Sequence, residues 1–348
     1  MKRNSPIRRI AAYAVAILAL MAQANTAGAE SSVSVFAQVP SPGHPSGIVV
    51  HQRSVYVSTS AGLPFAHFNN DDERVFRYTL GGKLLSSTRI DTAPGSNEGL
   101  FALAVDGKDR LYVGDVNGRI LRYTPGRSGP RVWASAPEPY HSGGWYAAAW
   151  NGVAFDARGS MYVADYQARI WRITPSGDIS IWFSDARLTG SGVVIGGPYG
   201  AQIGPDGKLY FAVTDSMLPG GDRGSVIYRL PLKREPASDD LEEFHRFPAV
   251  GDVNPDAAGI AFGRSGRLYV SLASANQIAV LKPNGKEERR ISSPHLYGPW
   301  GLAFLGKSLL VANSENNFVP DEHPDGWQIL KVSVGDRGLP PYSPKNVK

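Results

Sequence analysis

The chain of 348 residues contains no cysteine. That excludes disulfides and a lipid anchor on a processed N-terminal cysteine, so the fold must hold together by burial alone, which a chain of this length permits. Charge is also scarce, with 19% of residues charged, while 39 glycines and 26 prolines are present. The formal net charge of +5 includes Lys2, Arg3, Arg8 and Arg9 at the extreme N-terminus, leaving one net positive charge on the rest. No nucleic-acid partner is expected from so balanced a chain. No nucleophile-elbow pattern, Walker loop, zincin helix or dinucleotide fingerprint occurs. The one apolar run, "IAAYAVAILALMA", is too short for a good membrane span.

That run follows the four basic residues and precedes Ala27-Gly28-Ala29, the order of a secretory signal peptide over residues 1–29, cut before Glu30. The expectation is an exported protein, periplasmic or extracellular, with no membrane insertion after cleavage.

Abundant glycine and scarce charge suit many short strands joined by tight turns. The stretch "NGVAFDARGSMYVADYQARIWRITPSG" from Asn151 returns in related form along the chain, anchored on Gly47, Gly99, Gly152, Gly200, Gly259 and Gly301 at spacings of 42 to 59 residues. Periods of this size indicate propellers or solenoids. Each copy reads as a short apolar strand, a turn such as "DARG" or "PDGK", and a "LYV"-type strand. A third strand such as "RIWRITP" and a fourth such as "ISIWFSD" follow. The pattern predicts an all-β fold, a six-bladed β-propeller of four-stranded blades over residues 30–338 with an irregular tail over 339–348. The sixth unit lacks a fourth strand, and "SVSVFAQV", from Ser32 to Val39, is expected to supply it and close the ring.

In a propeller, the loops before the first strand and between the second and third strands open on one face. The long insertions fall there, as in "SAGLPFAHFNNDDE", "PEPYHSGGWYAAAW", "TDSMLPGGDRG" and "SENNFVPDEHPDG". Such one-sided lengthening marks binding loops. The residues before the anchors, Ser46, Glu98, Asn151, Tyr199, Ala258 and Trp300, should ring the channel mouth. Glu98 and Asn151, with Asp256 near the same level, offer converging oxygen ligands suited to a hard cation such as calcium or magnesium. The alternative is that Glu98 and Asn151 cap loops or bind channel water, and that Asp256 belongs to an ordinary Asn254-Pro255-Asp256 turn. Tyr199, Trp300, Trp145 and Tyr146, with His141 at the rim, are candidates for a substrate wall or for blade packing. His44, His67, His141, His295 and His323 would be the source of a rival zinc site. Asp115 and Asp165 are expected to bond the turns that follow them, and Asp106, Asp156 and Asp206 to be structural. Trp171 and Trp182 are read as core.

The signatures "EGLFALAVD" and "WNGVAFD", the repeated G-x-A-x-D-x-x-G-x-x-Y-V unit and the closing "WQILKVSVGDRGLP" resemble the gluconolactonase, senescence-marker-protein and strictosidine-synthase-like propellers across nearly the whole chain after residue 29. The resemblance implies metal-assisted hydrolysis of a small lactone or ester by a monomer that needs no organic cofactor. Ca2+ would be held by Glu98, Asn151 and Asp256, with Asp256 and Glu98 as catalytic carboxylates. The family carries its Asp directly before the glycine, where this chain has Ala258. The family repeat is also shared by non-catalytic NHL-type binding propellers, the rival expectation.

Overall fold

The computed structural model describes residues 32–41, 43–60, 73–90, 99–140, 148–189, 197–214, 224–250, 254–314 and 327–348. These contain twenty-four strands, β1 to β24 in chain order, in six four-stranded antiparallel sheets. The fold is a six-bladed β-propeller. Each blade opens with an inner strand: β2 (Pro45–His51), β6 (Leu100–Val105), β10 (Trp150–Phe155), β14 (Gly197–Ile203), β18 (Ala257–Phe262) and β22 (Pro299–Leu305). Each inner strand packs on the next, and β22 returns to β2. Five blades follow chain order. The sixth joins β22, β23 (Ser308–Asn313) and β24 (Gln328–Ser333) to β1 (Val33–Gln38), which pairs with β24 so that Val33 faces Val332 and Gln38 faces Gln328.

Second strands are covered by blades on both faces and are buried almost throughout, as in β11 (Met161–Asp165), buried at all five positions, the terminal aspartate included. Outer strands meet water, and β5 (Leu84–Arg89) is exposed at five of six positions. A repeated aromatic contact joins neighbouring blades. The tyrosine of the second strand meets the phenylalanine ending the next blade's inner strand edge-on: Tyr112 with Phe155 at 5.1 Å, Tyr210 with Phe262 at 4.8 Å, and Tyr269 with Phe304 at 5.3 Å. Trp171 and Trp182 are buried, as expected.

The anchor glycines answer to backbone crowding. A Cβ on Gly152 would stand 2.6 Å from the Tyr199 carbonyl of the next blade, and one on Gly200 2.6 Å from that of Ala258. Gly259, Gly301 and Gly47 likewise face the backbone of the next blade at Trp300, Ser46 and Phe101. The register with the second strand shifts near this level in all six inner strands, a bulge that frees the residue above the anchor to turn toward the channel.

Blade two departs from the sequence alignment. Ala102 pairs with Gly114 as Gly152 pairs with Ala164, so the anchor position is Ala102, and Gly99 lies three residues before it. The small residue has moved to the partner strand, with Gly114 making room for the Ala102 methyl at 3.0 Å from where its own Cβ would be.

The turn aspartates are structural, because each satisfies local donors. Asp106 Oδ1 accepts the Lys108 and Arg110 amides and Oδ2 the Tyr112 hydroxyl, and Asp156 and Asp206 repeat this with Tyr162 and Tyr210. Asp115 and Asp165 do bond the following turns. Asp165 also accepts from Trp171 Nε1 at 2.7 Å and Arg169 Nε at 2.9 Å.

The tail has no regular strand but is anchored. Arg264 N donates to the Arg337 carbonyl at 2.6 Å and Leu339 N to that of Phe262 at 2.8 Å, both in blade five. Beyond, Gly107 N donates to the Pro344 carbonyl at 2.9 Å, and Lys108 Nζ and Arg110 donate to that of Val347 at 2.8 and 2.6 Å. Val347 is fully buried with Tyr112, Phe155 and Trp171. Blades two and five stand opposite one another in a ring of six, so this segment is a strap across the channel.

Phe155→Ala should destabilise the protein by about 3 to 5 kcal/mol in urea unfolding, because it removes an inter-blade aromatic and leaves a cavity. A loss below about 1 kcal/mol would show that this contact does not bind the blades together.

Candidate functional site

The upper end of the channel is built from the residues just above the anchors. With blade two in its observed register they are Ser46, Phe101, Asn151, Tyr199, Ala258 and Trp300, and all line one cavity of about 630 Å3 running down the axis. Phe101 holds the position that the sequence reading assigned to Glu98. Glu98 itself, with His141, Trp145, Tyr146, His67 and His323, lies outside the described residues.

Three of the six positions, in blades two, four and six, are aromatic. Trp300 meets Tyr199 at 5.3 Å and Phe101 at 6.3 Å between ring centroids, so the three rings join across the mouth. Tyr166, which follows β11, stands edge-on to Tyr199 at 5.3 Å. The tyrosine and tryptophan expected as a substrate wall are therefore in contact, and Phe101 and Tyr166 belong with them. The spacing from the turn aspartate was the overlooked signal, since Ala102 precedes Asp106 by four residues as Gly152 precedes Asp156.

Two buried polar side chains of different character belong to this end of the channel, Asn151 in the cavity lining and Asp256 in the turn before β18. Asn151 is buried at 6% exposure, and neither its Oδ1 nor its Nδ2 has a hydrogen-bond partner among the described residues. A buried amide left so costs about 1 to 3 kcal/mol, which a ligand would recover. Asp256 is buried at 5% and adopts a left-handed backbone, φ 52°, which aspartate tolerates better than most residues. Its Oδ2 accepts from the Ser274 hydroxyl, while Oδ1 has no partner among the described residues. The turn is held from behind: Ser225 Oγ donates to Asn254 Oδ1 at 3.0 Å and accepts from Ala257 N at 3.1 Å.

Burial without a cationic partner pushes the Asp256 carboxyl up to about 7, against the lowering effect of Ser274. Burial also raises the Tyr166 and Tyr199 hydroxyls, and the Asp256 charge raises both further, which sets the three groups within electrostatic reach of one another.

Asn151 Oδ1 and Asp256 Oδ1, both without partners among the described residues, are hard donors of the kind calcium or magnesium takes, so each residue is chemically suited to a divalent cation. Among the described residues no group of three or more His, Asp or Glu side chains could hold a metal. His44 is buried beside Trp327 at 5.1 Å, with Nδ1 3.3 Å from the Ser314 carbonyl. His51 pairs with Asp109 at 2.8 Å and His245 with the Gly285 carbonyl at 2.8 Å.

No family model matches the sequence, and no curated protein matches it. Solved structures do match in fold. A calcium-binding regucalcin from Agrobacterium tumefaciens superposes with a TM-score of 0.61 at 14% identity, covering 89% of this chain and 98% of that one. A gluconolactonase from Xanthomonas campestris gives 0.59 at 14% identity over 87% and 89%. A luciferin-regenerating enzyme gives 0.63 at 14% identity over 90% and 99%. The fold is that of the gluconolactonase and regucalcin propellers. At such identity the likeness extends to the architecture and leaves the chemistry to this chain's own residues.

A buried carboxyl whose titration is raised takes up a proton on folding, so its stability penalty grows as pH rises from the ordinary carboxylate value toward about 7 and is full above that. In chelator-treated protein, Asp256→Asn should therefore raise the melting temperature at pH 8, by an amount worth about 2 to 4 kcal/mol, and change it little at pH 4. Equal shifts at both pH values would mean that the carboxylate is not uncompensated.

Proposed function

We propose that this chain is an exported hydrolase, periplasmic or extracellular, that opens a small lactone or ester at the upper mouth of the channel with the help of a divalent cation, Ca2+ first among the candidates. The observation that carries the reading is a pair of buried oxygens without partners among the described residues: Asn151 lines the cavity with Phe101, Tyr199 and Trp300, and Asp256 lies within electrostatic reach of Tyr199. Asn151 Oδ1 and Asp256 Oδ1 would hold the cation, with Glu98 as a third ligand by resemblance, and the bound ion would polarise a carbonyl oxygen.

The chain's own groups supply the rest. Asn151 Nδ2, which has no acceptor among the described residues, would donate to the substrate carbonyl oxygen as negative charge builds there. Ser274 donates to Oδ2 of Asp256 and so fixes the direction in which Oδ1 faces the cation, and the proton from water would pass to the oxygen of Glu98 that the cation leaves free, as a general base by resemblance. The aromatic rings exclude bulk water and form the wall against which the ring or acyl group lies. A single closed ring needs no second copy, and the monomer is the proposed active form.

A second reading follows from the contact among the three mouth aromatics: a non-catalytic propeller that grips a small molecule, glycan or protein partner. Turnover separates the two readings. The purified protein should contain near-stoichiometric divalent metal by mass spectrometry. Chelation, Asn151→Ala and Asp256→Asn should each lower kcat/KM on a lactone and ester panel by about 100-fold or more. Hydrolysis untouched by exhaustive chelation would exclude the metal-assisted mechanism, and saturable binding with no turnover would favour the second reading.

A further inference from the structure

Below the mouth the channel changes character. The residues following the anchors, Ile48, Leu103, Val153, Ala201, Ile260 and Leu302, line it on all six sides. In the next layer, Gln202 is the one polar side chain, and its Oε1 is occupied by the Phe262 amide at 2.9 Å. The cavity of about 630 Å3 falls within the range of about 300 to 1,000 Å3 typical of small-molecule sites. Its floor is the strap, Arg337 to Ser343.

The lower rim is cationic. Arg264, Lys307 and Arg337 line the cavity there and are exposed, and none of them makes an ion pair among the described residues. The carboxylates at this end are engaged elsewhere, Asp336 by Ser265 and Asp109 by His51 and Gln52. An apolar shaft ending in three unpaired cations is complementary to one kind of small molecule, an extended apolar chain with an anionic end.

We propose that the channel is a binding site for an aliphatic carboxylate, with the chain in the shaft below the aromatic mouth and the carboxylate at Arg264, Lys307 and Arg337 beside the strap. The chain displaces solvent from the six apolar residues, and Phe101, Tyr199 and Trp300 at the mouth limit the depth available to it. This site lies at the end of the channel opposite Asn151 and Asp256 and requires no hydrolysis.

The test is a fluorescence titration of the full chain with cis-parinaric acid, an aliphatic carboxylate that brightens in apolar surroundings, followed by displacement with octanoate, decanoate and dodecanoate. One saturable site per chain is expected, with affinity rising about fourfold per added methylene. Leu103→Phe and Val153→Phe, at partly exposed positions lining the shaft, should each weaken binding at least tenfold. The exposed triple variant Arg264→Ala, Lys307→Ala, Arg337→Ala should do the same without changing the melting temperature. Absence of a saturable site in the unaltered protein, or full retention of binding in the triple variant and in whichever shaft variant folds, would overturn the proposal. Binding without lactone or ester turnover would uphold this site while removing the hydrolase reading, and turnover without binding would do the reverse.

Discussion

Six inner strands can surround a channel only if their backbones come close enough for side chains from each blade to reach the next, and that approach is decided at one level of the ring. There a Cβ would collide with the neighbouring blade's backbone at Gly47, Gly152, Gly200, Gly259 and Gly301. In blade two, Ala102 is tolerated because its strand partner is Gly114. From this contact follow the bulge beside each anchor, the inward turn of the residue above it and the apolar shaft below. The tyrosine–phenylalanine contacts then bind the blades farther out.

The same constraint sorts the buried carboxylates. Asp106, Asp156, Asp115 and Asp165 recur because the blade recurs, and each is surrounded by amide, hydroxyl or guanidinium donors. Burial raises the Asp165 carboxyl, while the facing Arg169 charge works against that rise. Asp256 is the exception, with a single hydroxyl donor and an unpartnered oxygen among the described residues and two tyrosines within electrostatic reach. A carboxylate kept in that condition is a cost to the fold, of the sort accepted where a ligand or a reaction makes use of it. Asn151 is in the same position as an amide.

The strap links the two ends of the chain's architecture. It leaves blade six, bonds to blade five, crosses the lower opening and seats Val347 in the core between blades two and three. A channel closed in this way is a pocket with a floor, so that its two ends differ chemically: aromatic rings and an amide above, cations below.

What the sequence by itself determined is the part of the fold written in local periodicity. Alternation of side chains, turn aspartates and the "LYV" strands specify a four-stranded blade within about fifty residues, and six copies specify the propeller. The mouth was legible where the copies keep their spacing, so that Asn151, Tyr199 and Trp300 line it as the repeat predicts. It was misread at blade two, because a Gly-anchored alignment cannot see that the small residue sits on the partner strand; only pairing across the sheet assigns the position to Phe101. The isolation of Asp256, the meeting of three rings from alternate blades and the path of the strap depend on groups far apart in the chain. Ring closure brings them together, and no local pattern encodes that distance.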